Sequence, residues 1–248
     1  MIRAMREGWP ILLAGAAGIV GGVVVYHAVA GEPADRGATE AVVHDYILAH
    51  PEIISEAIAR LQEKQATNVI AGERHALEAP FPGAWAGNPK PAVTLVMFTD
   101  YACGYCRASV SDIDRLLADT PDLKVVWREI PILGPNSGIA ARAALAAAKL
   151  GRYVPFHRAL FAAGRPDART IVAVARTAGL DAEALATAAQ APDVSAEIAA
   201  NLKLATMLGV DGTPAFVIGD RMLSGAVGHD ALKKALDEAR AARGSGKA

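Results

Sequence analysis

Cysteine is scarce in this chain: two among 248 residues, Cys103 and Cys106. That number excludes a scaffold stapled by several disulfides. An excess of charge is also missing, since 25 Lys and Arg stand against 26 Asp and Glu for a net charge of −1. No basic surface is therefore expected, and no nucleic-acid partner. Histidine does not cluster. His27, His44, His50, His75, His157 and His229 are scattered along the chain and read as surface or packing residues. A zinc site needs four ligands, and no second CxxC is present, so neither a metal nor a cofactor is expected. What is there is a pair of thiols at CxxC spacing, in TDYACGYCRAS, within a chain long enough to bury a full core.

One long uncharged run is present. Arg3 and Arg6 precede WPILLAGAAGIVGGVVVY, which carries no charge from Trp9 to Tyr26. A basic start followed by an apolar stretch is the pattern of an export signal. Ala28-Val29-Ala30 is an A-x-A cleavage site. The run from Trp9 to Ala30 also approaches the roughly 20 residues that span a bilayer, with its basic end inside. Residues 1–31 are thus read as a signal peptide or an N-terminal membrane anchor. Either outcome exports the remainder to the periplasm.

After a polar break, residues 38–70 are read as an N-terminal helical segment. Val43, Tyr46 and Ile47 share one face, and Pro51 suits the first turn of a second helix. In that helix Ile54, Ile58 and Leu61 recur at steps of three and four. Such a stripe needs a partner, either the main domain or other copies of the chain. Residues 71–91 are read as a linker, because APFPGAWAGNPKP carries four prolines and several turn signals.

The main domain is placed at 92–243. Val93 to Phe98 is a continuous apolar run that fits a strand buried on both faces. Thr99, Asp100 and Tyr101 turn the chain into a helix marked by Val110, Ile113, Leu116 and Leu117. This places Cys103 in the first helical turn, where free backbone N–H groups favour a thiolate. Cys103 is expected to have the lower pKa and the greater exposure, with Cys106 shielded and acting as the resolving thiol. A second strand, LKVVWREIPI, follows. Residues 137–209 read as a helical block, Ala215 to Ile218 and Met222 to Ser224 as a hairpin, and 230–243 as a closing helix. Residues 244–248 read as a disordered tail. The order gives an α/β domain with an all-helical insertion. A purely structural disulfide across CxxC closes a tiny loop and stabilises little, whereas capture of Cu(I) by two soft thiolates stays open as a binding function.

Four blocks resemble the DsbA family of exported bacterial thiol–disulfide oxidoreductases, in the branch that includes ScsC and Com1-like proteins. They are GNPKPAVTLVMFTDYACGYC, EIPILGPNSGIAARAALAA, LGVDGTPAFVIGDRMLSGAVG and EAVVHDYILAHPEIISEAIARLQEKQ. The resemblance implies a thioredoxin-like fold with a helical insertion. Within it Cys103 is the nucleophile and Cys106 the resolving thiol. Thr213-Pro214 is the cis-proline loop that binds extended substrate by strand addition, and Gly104 and Tyr105 tune the redox potential. Implied partners are unfolded or partly oxidised periplasmic proteins, a membrane redox partner, and other copies of the chain through residues 38–66. Self-association favours isomerase or client-holding behaviour. One departure stands out. Relatives commonly carry a buried acid six residues before the first cysteine, and here that position is Met97. Asp100 and Glu129 are the nearby candidates for a proton relay; either could as easily be a solvated charge, and Glu129 is read as one, which leaves Asp100 as the possible relay.

Overall fold

A computed structural model describes residues 36–245. The segment 1–31, read above as signal or anchor, lies outside the described residues. Among the described residues no helix is long and apolar enough to cross a membrane.

Two helices come first, α1 (Arg36–Ala49) and α2 (Glu52–Glu78). α1 buries none of its residues, and Val42, Val43, Tyr46 and Leu48 are exposed. The described residues divide into two compact units, with the boundary between Ala59 and Arg60. In the second unit α2 changes character, burying Ala66, Ile70 and Leu77. The helix therefore runs through the first part of the stretch expected to be a linker, to Glu78. The rest of that stretch holds a short strand, β1 (Trp85–Gly87). The run of prolines and glycines after residue 78 conceals β1, which is held by tertiary pairing rather than by local propensity.

The sheet is completed by β2 (Val93–Thr99), β3 (Leu123–Glu129), β4 (Ala215–Ile218) and β5 (Arg221–Ser224), in the order β1-β3-β2-β4-β5. β2 and β3 are parallel, and the other pairs are antiparallel. Every residue of β2 is buried, as expected of a central strand covered on both faces. α3 (Gly104–Asp119) connects β2 to β3. α4 (Pro135–Lys149), α5 (Tyr153–Ala163), α6 (Ala168–Thr177), α7 (Ala182–Ala189) and α8 (Pro192–Leu208) form the helical block. The last helix, α9 (His229–Ser245), extends into the expected tail.

The sheet separates two apolar clusters. On one face Leu95, Met97 and Trp127 pack with Ile113 and Leu116 of α3, Phe156 and Phe161 of α5, and Leu232 and Leu236 of α9. On the other face Val96, Phe98, Val126 and Ile130 meet Ile70 and Leu77 of α2 and Leu204 and Leu208 of α8. Arg128 is buried on this second face. Its guanidinium donates to Glu197 at 2.7 Å, to Asn201 Oδ1 at 3.1 Å, and to the carbonyls of Ala76, Leu77 and Ala79. A strand residue thus anchors the end of α2 to the sheet, and the carbonyls left free at that helix end gain a donor. The result is a thioredoxin-like α/β fold with a helical insertion and an N-terminal helical segment.

Candidate functional site

β2 ends at Thr99, and the next four residues turn the chain into α3. Asp100 organises that turn. Its Oδ1 accepts the N–H of Ala102 at 2.8 Å, and its Oδ2 accepts the N–H groups of Ile132 and Leu133 at 2.9 and 3.0 Å. Both carboxylate oxygens are engaged by backbone N–H groups. Its task here is to hold the turn against the segment after β3. The Asp100 carbonyl also accepts the N–H of Cys103 at 3.0 Å.

Cys103 is the N-cap residue of α3 rather than part of its first turn. Its backbone is extended, with φ −83° and ψ 119°, and its Sγ accepts the N–H of Cys106 at 3.3 Å. Sulfur takes the place that a hydroxyl or carboxylate oxygen usually fills at a helix start. On its other side the Cys103 thiol donates to the carbonyl of Thr213 at 3.1 Å. The Thr213-Pro214 peptide bond is cis, and the hydrogen bond to Thr213 sets the loop before β4 against the first thiol. Both cysteines are free thiols.

The two thiols differ in access. Cys103 retains 6% of its surface and Cys106 none. Burial pushes the Cys106 thiol up to about 12, against the opposing influence of the Asp100 backbone and the Thr213 and Thr99 hydroxyls. Neither hydroxyl makes a directed hydrogen bond, so their influence is that of nearby dipoles. Cys106 is accordingly held as a neutral thiol. Gly104 opens α3 in free space, and the Tyr105 side chain projects into solvent with 70% of its surface exposed.

Beneath the thiols lies a buried polar cluster. Glu129, read above as a solvated charge, is fully buried. Its Oε1 accepts the Tyr153 hydroxyl at 2.6 Å and the Tyr101 hydroxyl at 3.1 Å, and its Oε2 has no hydrogen-bond partner. Desolvation pushes this carboxyl up to about 8 despite the two tyrosines. The Tyr101 oxygen also lies 2.8 Å from Nδ1 of His157. The imidazole is enclosed by Tyr101, Trp127, Tyr153 and Phe161. Burial, with the charge of Arg158 adding to it, lowers His157 to about 3. Met97 pairs with Trp127 and Thr99 with Glu129 across β2 and β3. A carboxyl is therefore present on the same sheet face as Met97, supplied by the neighbouring strand. A signal for it was available, because an acid inside the apolar run of a central strand must be paired or neutral.

Among the described residues, no group of three or more His, Cys, Asp or Glu is placed to hold a metal ion.

The profile described as DSBA-like thioredoxin domain matches residues 94–237. The chain belongs to that family. A second profile, Copper resistance protein ScsC N-terminal domain, matches residues 35–67. A thioredoxin-like oxidoreductase from Silicibacter pomeroyi is 42% identical, with 67% of this chain and 97% of that one covered and a TM-score of 0.65. The thiol-disulfide exchange protein alpha-DsbA2 from Wolbachia pipientis is 30% identical over 72% of this chain and 97% of its own, with a TM-score of 0.66. A linker-deletion mutant of Proteus mirabilis ScsC is 28% identical, covering 86% of this chain and 98% of its own at a TM-score of 0.69. Among curated proteins, the Na(+)/H(+) antiporter NhaA 1 of Salinispora arenicola is 28% identical over 156 residues, 62% of this chain. The chain spans 24% of that protein's length. The family and these oxidoreductase relatives support thiol–disulfide exchange as the activity, and Cys103 and Cys106, at the head of α3, are the chain's two cysteines.

Proposed function

We propose that this chain is an exported thiol:disulfide oxidoreductase that forms or isomerises disulfides in periplasmic client proteins. The observation that carries the reading is the contrast between the two sulfurs. Cys103 keeps 6% of its surface, with its Sγ capped by the Cys106 N–H and set against Thr213, while Cys106 is enclosed and protonated.

In the oxidising direction a client thiolate attacks the Cys103 sulfur of the disulfide, and Cys106 departs. A second client thiol then displaces Cys103, leaving the client oxidised and both enzyme cysteines reduced. In the isomerising direction reduced Cys103 attacks a client disulfide, and either the client's own thiol or Cys106 resolves the mixed bond. Rates depend on access and on the acidity of the attacking and leaving thiols. The Thr213-Pro214 loop would bind the client backbone beside Cys103, and Gly104 and Tyr105 would tune the potential. A membrane redox partner would exchange electrons with the pair.

Self-association belongs to the same reading. Val42, Val43, Tyr46, Leu48, Ile54, Ile58 and Leu61 are exposed apolar side chains within the stretch matched by the ScsC N-terminal profile. Second copies of the chain are their proposed cover.

The deciding experiment expresses Cys106→Ala in an exporting bacterium and separates periplasmic proteins without reductant. Reductant-sensitive adducts on Cys103 are expected. Their absence, with the variant folded and exported, overturns the reading.

A further inference from the structure

We propose that the pocket beside Cys103, between the start of α4 and the turn before α6, binds a carboxylate side chain of the client, so that clients with an acidic residue near the reacting cysteine are preferred. The inference rests on the exchange reading above and adds a substrate preference to it.

The pocket holds about 400 Å³, and its lining includes Ala102, Leu133, Asn136, Ser137, Arg165 and Asp167. Ala102 directly precedes Cys103, so the pocket begins one residue from the nucleophile. Its wall is pinned to the thiol turn, because Asp100 Oδ2 accepts the N–H groups of Ile132 and Leu133. An extended client advances about 3.3 Å per residue. Side chains a few positions from the client cysteine are therefore the ones in range.

Three features favour an anion there. α4 begins at the pocket with Gly134 as its N-cap, and no side chain caps it. The first N–H groups of a helix lack intrahelical acceptors and carry the positive end of its dipole. Ser137, in the first turn of α4, is 1% exposed, lines the pocket, and has an Oγ without a hydrogen-bond partner. A buried hydroxyl left unpaired is costly, and a ligand oxygen would relieve that cost. Arg165 is exposed, lines the same pocket, and makes no ion pair with a described acid.

Asp167 is the opposing group. Its Oδ1 caps α6 by accepting the Thr170 N–H at 2.8 Å, and that bond holds the carboxyl below the usual carboxylate range. Asp167 therefore stays ionised and tempers the attraction for a second carboxylate.

The test uses the oxidised full chain and matched single-cysteine peptides with Asp, Asn or Lys two residues before or after the cysteine. Two peptide thiols reduce the Cys103–Cys106 disulfide and leave as one peptide disulfide, which is quantified at low ionic strength. Each rate is divided by that of the same peptide with a small aromatic disulfide, to remove differences in intrinsic thiol reactivity. In the wild type the Asp peptide should outpace the Asn peptide about tenfold in one of the two placements, and the advantage should shrink as salt is raised. Arg165→Ala and Ser137→Ala should each reduce that ratio, and Arg165→Glu should favour the Lys peptide. Asp167→Asn, which can still cap α6, should raise the ratio. A wild-type ratio near one in both placements, or a ratio that either Arg165→Ala or folded Ser137→Ala leaves unchanged, overturns the proposal. Reduced glutathione and its dimethyl ester form a separate arm. A charge preference seen with them and not with the peptides overturns the client assignment. If no peptide of any charge is oxidised, the exchange reading itself fails.

Discussion

The Cys103 thiol donates a hydrogen bond to the Thr213 carbonyl at 3.1 Å, joining residues 110 apart in sequence. This contact sets the first thiol of the pair against the loop that holds the cis Thr213-Pro214 bond. It also leaves Cys103 at the surface edge of the site and Cys106 behind it.

Alkylation should expose that difference. Near neutral pH a maleimide should modify reduced native protein once, on Cys103, with Cys106 reacting only after unfolding. Peptide mapping by mass spectrometry checks the outcome. Equal labelling of both cysteines in the native state would contradict the burial described here.

The buried cluster predicts an unusual dependence of stability on pH. Glu129 is raised from 4.5 to about 8, so between those values the native state holds a proton that the unfolded chain has lost, and stability falls as pH rises. His157 is lowered from 6.5 to about 3, so between those values the unfolded chain holds the extra proton, and stability rises with pH. The two slopes cancel between 4.5 and 6.5 and leave a decline from 6.5 to about 8. That decline should approach about 1.4 kcal/mol per pH unit. Denaturant titrations of wild type and Glu129→Gln should differ by the loss of this decline in the variant.

Arg128→Ala should cost about 3–5 kcal/mol, because it leaves Glu197 without its cation and the end of α2 without its donor. Urea unfolding measures the loss. A change below about 1 kcal/mol would show that the guanidinium is not a structural anchor.

Two glycines should respond in opposite ways. Gly87 has φ +95°, and a Cβ there would overlap the Leu123 carbonyl oxygen, so Gly87→Ala should destabilise by about 1–3 kcal/mol. Gly104 has open space around it, so Gly104→Ala should leave unfolding within about 0.5 kcal/mol of the wild type. Paired thermal melts decide both.

Most of the site could be read from sequence because its parts are local. The apolar run of β2, the CxxC that follows and Thr213-Pro214 each announce themselves within a few residues. β1 does not, since three residues among prolines and glycines form a strand only when β3 lies alongside. Glu129 was misjudged for a related reason. Its charge suggested solvent, while its burial depends on α5 bringing Tyr153 and His157 over the sheet from more than one turn of chain away. Asp100 was placed correctly beside the thiols, but its hydrogen bonds to Ile132 and Leu133 require a segment that sequence order alone does not bring near.

Arg128 and Glu129 are consecutive, a base and an acid, and enclosed on opposite faces of one strand. Slipping β3 by a single residue against β2 would exchange their surroundings, driving a cation among the tyrosines and a carboxyl against the carbonyls that end α2. One misplacement would strand a charge and the other a carboxyl, each buried away from its partners. The pair therefore acts as a key that admits one alignment of the central strands, and the chemistry of the thiols inherits its geometry from that choice.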